Sequence, residues 1–471
     1  MRRTKIVATI GPASRPPRIL RALLKAGMDV ARLNFSHGDP AEHAGTVRRA
    51  RAIARTLGRP LAILQDLQGP KIRIGRLRGG EALIRPGSRL ILTSRRVLGN
   101  ARLIPTDYRR LPAEVRPGDR VLFDDGRIQL RVLSTSGSDV TCRALEGGMV
   151  REHKGINLPG VALSAPALTD KDRADALLGA RLGVDYVALS FVRRAQDVQS
   201  LRRVLLGHGL RTPIIAKIEK PEAVEHIDEI LKISDGVMVA RGDLGVELSP
   251  EDVPLVQMEV VARARAAGKP VITATQMLES MRGSPRPTRA ESSDVANAVF
   301  DGADALMLSG ETADGRYPVE SVQMMARIIQ KVEPTALRMM REERLEEGAS
   351  FADSIADAAC RTARATRARC IVALTITGAS ARLIASFRPP VPVVAFTTEG
   401  AARQRLALVW GVIPLPTRPR KSLENLLLEM ERRLVREKLA SPGDAVVVIS
   451  GLPFTPGGAT NLIKLHRLAR D

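Results

Sequence analysis

The stretch Ile214-Ile-Ala-Lys217-Ile-Glu219, followed by Gly236-Val-Met-Val-Ala240-Arg241-Gly-Asp243-Leu-Gly245, decides the fold. Each half is a short, mostly apolar run that finishes in charged residues. Runs of this length without polar alternation are expected of strands buried on both faces. Working outward, the same unit recurs at Lys5–Ile10, Asp29–Leu33, Leu61–Gln65, Tyr186–Ser190, Pro270–Ala274 and Ala305–Leu308. With Ile214–Ile218 and Gly236–Ala240 that makes eight strands. Helical segments such as Pro16–Ala26, Ala41–Leu57 and Lys171–Leu182 lie between them. Alternating strands and helices in eight units predict an α/β fold, a TIM (β/α)8 barrel.

More than a hundred residues separate strands three and four, far beyond an ordinary connection. Within that gap Leu90–Thr93, Arg120–Phe123, Ile128–Leu133 and Val140–Ala144 read as short strands, and Asp124-Asp125-Gly126-Arg127 reads as a hairpin turn. A small β-barrel lid domain inserted there would hang over the C-terminal face, where barrel active sites sit. After Val332-Glu333-Pro334 a third pattern begins. Strands Cys370–Thr375, Pro392–Phe396 and Ala445–Ser450 alternate with helices Ser354–Thr366 and Leu423–Glu437. The expected division is barrel 1–70 and 166–335, lid 71–165, and a C-terminal α/β regulatory domain 336–471.

The chain carries a net charge of +22, yet only 3% of its residues are aromatic and its arginines run from end to end. A nucleic-acid binder usually gathers basic residues with aromatics for stacking. The charge is therefore read as a solvated surface that also attracts phosphorylated metabolites, with no nucleic-acid partner expected. Cys142, Cys360 and Cys370 form no CxxC pair, which fits a reducing cytoplasm. No apolar run reaches the roughly 18 residues of a membrane span. The apolar start Ile6–Ile10 is too short for a signal peptide and ends at Gly11-Pro12.

The polar residues fall repeatedly at one end of the strands. Strand two finishes in Arg32-Leu-Asn34-Phe-Ser36-His37, strand three in Asp66, and strand five in Lys217-Ile-Glu219. Strand six runs into Arg241-Gly242-Asp243, strand seven into Thr275-Gln276, and strand eight into Ser309-Gly-Glu311-Thr312. One such ending is unremarkable, but six converge on one barrel mouth and mark a catalytic centre. Lys217 and Glu219, two apart on a strand, share a face. Glu219 and Asp243 arise on adjacent strands, and two carboxylates with few other protein ligands suit Mg²⁺. Lys217 and Arg32 would neutralise phosphate charge. The bland alternative is that Lys217–Glu219 is a structural ion pair. Gly242-Asp-Leu-Gly245 should open onto a helix, whose amides suit an anion.

Several of these segments resemble pyruvate kinases. They are Thr4–Ser14, Asn34-Phe-Ser-His37, Gly69-Pro70 with Arg73, Lys217-Ile-Glu219, Met238–Gly245, Ala274–Met281, Pro285–Glu291 and Leu308–Thr312. The resemblance covers barrel, lid and C-terminal domain. It implies transfer of the phosphoryl group of phosphoenolpyruvate to ADP, in glycolysis, by a cytoplasmic homotetramer. Residue by residue, it implies that Glu219 and Asp243 hold Mg²⁺ or Mn²⁺. Lys217 stabilises the phosphoryl group in flight and Arg32 grips the phosphate. Gly242, Asp243 and Thr275 seat the substrate carboxylate, and Thr275 also belongs to a proton relay backed by Ser309 and Glu311. Pro12, Asn34, His37, Arg73 and Lys171 resemble nucleotide contacts, and Ser190 with Phe191 a pocket lining.

Members of the family commonly hold K⁺ through residues matching Asn34, Ser36, Asp66 and the Leu67 carbonyl. Here the segment reads Asp66-Leu-Gln-Gly-Pro-Lys71-Ile-Arg73-Ile74, with Lys71 where many members carry an acid. Leu67, Gln68 and Ile74 also resemble the K⁺-independent branch, so Lys71 is expected to replace the cation. The alternative is a hinge residue with no such role. In the C-terminal domain Thr375-Ile-Thr377-Gly-Ala-Ser380 resembles an effector-phosphate loop, and Gly457–Asn461 a companion loop. A sugar-phosphate or nucleotide effector is expected there, although the basic residues common in that loop are absent. Two rivals remain on the residues alone: a Mg²⁺-dependent aldolase or lyase acting on pyruvate-like enolates, and a non-enzymatic basic protein descended from the fold.

Overall fold

The computed structural model describes residues 2–124, 126–161, 163–339, 350–418, 423–451 and 460–469. Eight parallel strands close into a barrel: Lys5–Thr9, Val30–Asn34, Ala62–Asp66, Tyr186–Val192, Ile214–Ile218, Gly236–Ala240, Val271–Ala274 and Ala305–Leu308. Each pairs with its neighbours in chain order, and the eighth returns to the first through Lys5↔Ala305. Nearly every strand residue is buried, as the apolar runs predict. Alternate side chains fill the interior, with Val7, Leu64, Ile215, Met238 and Met307 among them. The other set packs under the helices with Leu20, Ile63, Val237 and Leu306.

Between strands three and four lies a six-stranded sheet with its own core of Leu90, Leu92, Phe123, Leu130 and Val140. It contains the four expected strands, plus Leu103–Pro105 and Ile156–Asn157, while Glu81–Ile84 pairs separately with Gly148–Arg151. The hairpin is present as Phe123↔Ile128, with its Asp125 outside the described residues. The insert meets the barrel mouth around a cavity of about 80 Å³, where Lys71, Ile156 and Leu158 face Phe191, Asp243 and Glu247.

The C-terminal unit is a five-stranded sheet ordered Val412–Pro416, Val393–Thr397, Ile371–Leu374, Ala445–Ser450, Leu462–Arg467. Its last strand is antiparallel. It sits at the barrel's opposite end. Ala407 and Leu408 enter the barrel's interior cluster from below. Lys5 Nζ donates to the Val412 carbonyl at 2.8 Å, and Tyr186 Oη to that of Arg405 at 3.0 Å. The new pattern expected after Pro334 begins later, because helix Pro318–Met339 runs through that proline. Glu333 ties this turn to the N-terminal segment by accepting from the Arg3 and Thr4 amides.

Candidate active site

The mouth is built around a buried cluster of opposite charges. Arg32, at the end of the second strand, donates from Nε to Asp66 Oδ2 at 2.7 Å and from Nη1 to Thr9 Oγ1 at 2.9 Å. Lys217 Nζ lies 3.2 Å from Asp66 Oδ1 and 2.7 Å from Glu219 Oε1, and donates to Ser190 Oγ at 2.8 Å. Ser190 in turn donates to the Leu67 carbonyl at 2.7 Å. Glu219 is fully buried, and its other oxygen accepts from the Phe191 amide at 2.7 Å. Lys217 and Glu219 thus form the ion pair that their spacing allowed, but inside a larger cluster at the mouth.

Charge balance shows what the cluster lacks. Asp66, Glu219 and Asp243 bring three carboxylates against the two cations Arg32 and Lys217, and all of them act on the Lys217 ammonium. Burial would push Lys217 down, but the carboxylates outweigh it and hold the ammonium charged well above its usual range. Burial pushes Asp66 up, yet Lys217 and Arg32 win and its carboxyl lies below the usual range. Burial pushes the Glu219 carboxyl up; Lys217 opposes this and Asp243 adds to it. Glu219 Oε1 is buried, with the Lys217 ammonium at 2.7 Å as its neighbour. One uncompensated negative charge fits a divalent cation. No group of three His, Cys, Asp or Glu side chains suited to a metal occurs among the described residues. An ion at Glu219 and Asp243 would then complete its shell with water and substrate oxygens, as Mg²⁺ does.

Asp243 and Gly242 lie in the short helix Arg241–Glu247, directly after the sixth strand. The Gly242 amide donates to Thr275 Oγ1 at 2.6 Å, and that hydroxyl donates to the Ala274 carbonyl at 2.5 Å. Thr275 and Gln276 both hold positive φ, at 73° and 55°. For a β-branched residue this is a strained conformation of the kind that collects at functional sites. Arg241 fixes the strained turn, donating to the Thr275 carbonyl at 2.8 Å while forking onto Asp294 at 2.6 Å. Behind it, buried Glu311 accepts from the Leu278 and Ser309 amides at 3.0 and 2.7 Å, and burial pushes its carboxyl up.

The residues expected at a nucleotide are more spread. Pro12 follows the first strand, and Asn34 Oδ1 caps the Ser36 amide at 3.1 Å. Partial burial, then Lys71, Arg73 and Arg32, pushes the His37 imidazole below its ordinary value. Arg73 lies at the start of the insert, donating to the His153 carbonyl at 2.9 Å. Lys171 opens helix Asp170–Arg181, bound to the Phe35 carbonyl and to Asp175. Lys71 is exposed, and its side chain lines the cleft between insert and barrel. Thr375, Thr377 and Ser380 lie apart from all of these, at the far end of the barrel in the C-terminal unit. Ser380 shares a hydrogen bond of 2.6 Å with Thr460, while Gly457–Ala459 of the companion loop lie outside the described residues.

Thr9 and Asp294 carry no role in the sequence reading, and Arg241 appears there only as a strand ending. The rule that polar residues at strand ends face the mouth would have found Thr9 and Arg241. Asp294 sits on helix Arg289–Asp301, and no local pattern points to it.

Comparison with known proteins gives the family. A family model described as pyruvate kinase, barrel domain, matches residues 1–322, and one described as pyruvate kinase, alpha/beta domain, matches residues 353–466. A pyruvate kinase of Mycobacterium tuberculosis is 45% identical over 473 residues, covering 100% of this chain and 99% of its own. One from Sporosarcina psychrophila is 45% identical over 99% of this chain and 80% of its own. The crystal structure of a pyruvate kinase from Cryptosporidium parvum superposes with a TM-score of 0.93 at 36% identity. It covers 99% of this chain and 96% of that one.

Proposed function

The chain belongs to the pyruvate kinase family, and on that premise we propose how its own residues carry the phosphoryl group of phosphoenolpyruvate to ADP, giving pyruvate and ATP. The observation that carries the assignment of roles is the Lys217 ammonium, held charged between Asp66, Glu219 and Ser190. Glu219 and Asp243 hold Mg²⁺ or Mn²⁺, which when bound neutralises phosphate and enolate oxygens. Arg32 and Lys217 grip the phosphoryl group from the barrel side. As the bond to the enol oxygen breaks, its electron pair stays on that oxygen while a β-phosphate oxygen of ADP bonds phosphorus. Lys217 follows the charge in flight, where a fixed cation is most effective. The substrate carboxylate takes the Gly242 and Asp243 amides and the Thr275 hydroxyl. Thr275 then belongs to the relay, backed by Ser309 and Glu311, that delivers a proton to the enolate carbon, with water as the final donor. His37, kept neutral by burial and its cationic neighbours, lies with Pro12, Asn34, Arg73 and Lys171 along the nucleotide.

The site works without K⁺ in this reading. Of the groups a monovalent cation would use, Asn34 Oδ1 is engaged by the Ser36 amide and the Leu67 carbonyl by Ser190. Asp66 is engaged by Arg32 and Lys217. Lys71, exposed in the cleft, supplies the remaining positive charge. At the opposite end a cavity of about 1130 Å³ contains Thr375, Thr377 and Ser380 with Arg202, Arg382 and Arg418. Its size and charge suit a sugar-phosphate or nucleotide effector. Exposed Leu255 and Met258 on one helix and Phe300 on its neighbour give apolar surface for a homotetramer. No helix among the described residues is long and apolar enough to cross a membrane, and the enzyme works in the cytoplasm.

A coupled assay of ATP formation from phosphoenolpyruvate and ADP with Mg²⁺ tests these assignments, run with and without K⁺. Turnover should persist without monovalent cation, and Lys217→Met should lower it at least about a thousandfold while Mn²⁺ still binds. A lyase would form no ATP, and strict K⁺ dependence would remove the role given to Lys71.

A further inference from the structure

A file of arginines crosses the outer face of the inserted sheet. Arg120, Arg131, Arg143 and Arg89 stand directly opposite one another on four consecutive antiparallel strands. All four are exposed, and none has a carboxylate partner among the described residues. Like charges directly opposite on neighbouring strands destabilise a sheet. Three such pairs in a row are costly unless a counter-charge arrives from outside.

The surroundings narrow what that counter-charge is. Along the strands the same face continues on one side into half-buried Leu133, Thr141, Ile91 and Leu103. On the other side stand Leu145, 41% exposed, and Gln129 opposite Glu146. The face carries no aromatic platform, since Phe123 is fully buried and Tyr108 is bonded to Glu114. Nucleic-acid bases would find no aromatic ring to stack on. Adjacent strands are about 5 Å apart, so the four charges make a file about 15 Å long. Carboxylates three and four apart on a helix are about 5–6 Å apart and match that spacing. Alternate residues of an extended strand, nearly 7 Å apart, do not.

We propose that this face docks an amphipathic acidic helix of a partner protein. Its carboxylate stripe lies along Arg120, Arg131, Arg143 and Arg89, and its flanking apolar side chains cover Ile91, Leu103 and Leu133. Arg pairs with carboxylates through a planar fork, which sets register as well as affinity. The docking face is separate from the residues given roles in phosphoryl transfer.

The test uses the full-length protein and fluorescence anisotropy. The probes are a labelled helical peptide with Glu at i, i+4 and i+7 beside a Leu stripe, a scrambled peptide of the same composition, poly-uridylate and inorganic polyphosphate. The striped peptide should bind at least about tenfold tighter than the scrambled one. Its binding should weaken at least about tenfold in Arg131→Gln/Arg143→Gln, with basal turnover unchanged and the melting temperature equal or higher. Equal binding of both peptides, or tighter binding of poly-uridylate or polyphosphate, would overturn the helix as occupant. So would an equal loss on neutralising Arg18 and Arg55 of the barrel helices, which removes the same net charge elsewhere.

Discussion

Asp66 holds two cations at the barrel mouth, and its carboxylate is the residue on which their placement depends. The sequence marks it as a strand ending; the structure sets it 2.7 Å from Arg32 and 3.2 Å from Lys217. Asp66→Asn leaves Arg32 buried without its carboxylate and Lys217 with Glu219 alone, an expected loss of about 3–5 kcal/mol at neutral pH. Because Lys217 and Arg32 depress this carboxyl in the folded state, its contribution is complete above the ordinary carboxylate value of about 3.9. It is lost as pH falls through the lower folded value. Denaturation midpoints of the two proteins should therefore differ most at pH 7 and converge as pH falls below about 4. A gap that stays constant over this range would show that the carboxylate charge is not what matters. Thr275 was legible as a polar strand ending, but not its positive φ or its bond from the Gly242 amide.

At the scale of elements, barrel strands five, six and eight fall where the apolar runs put them, and the others shift by a residue or two. The strands that sequence reading passed over share a physical cause. Glu81–Ile84 alternates exposed and buried residues over only four positions, and Leu103–Pro105 has three. Val412–Pro416 contains two prolines, and Leu462–Arg467 is an edge strand with little burial. Such segments become strands because neighbours pair with them. A similarly non-local contact adds to the pairing that closes the barrel. The loop after strand one packs on the turn Gly310–Ala313 after strand eight, where Ala13 N donates to the Ala313 carbonyl at 2.9 Å. A Cβ on Gly11 would lie 2.5 Å from that carbonyl oxygen. Gly11→Ala should cost about 1–3 kcal/mol through overpacking, and should raise the KM for ADP by displacing Pro12. An unchanged melting temperature would mean that the loop yields freely.

Across the whole molecule, a buried latch joins the barrel to the C-terminal unit. Arg388 pairs with Asp304 at 3.0 Å, with both side chains almost fully buried, and donates to the Gly302 carbonyl at 2.6 Å. The guanidinium groups of Arg3 and Arg388 both approach the Trp410 ring, 5.4 and 4.7 Å from its centre. Arg388→Met should strand Asp304 in this interface at a cost of about 3–5 kcal/mol. Calorimetry should then show the C-terminal unit melting ahead of the barrel, whereas a thermogram superimposable on the wild type would rule the latch out. The sequence alone determined the eight-stranded barrel, the inserted β unit and the kinds of residue at the mouth. Strand burial and polar strand endings are local patterns, written along the chain. The tertiary structure decided which charges meet: Asp66 with Arg32 and Lys217, Arg241 with Asp294, Arg388 with Asp304, and four arginines in file across the inserted sheet. These depend on register and on contacts between distant segments, which a one-dimensional pattern of apolar and polar residues does not encode.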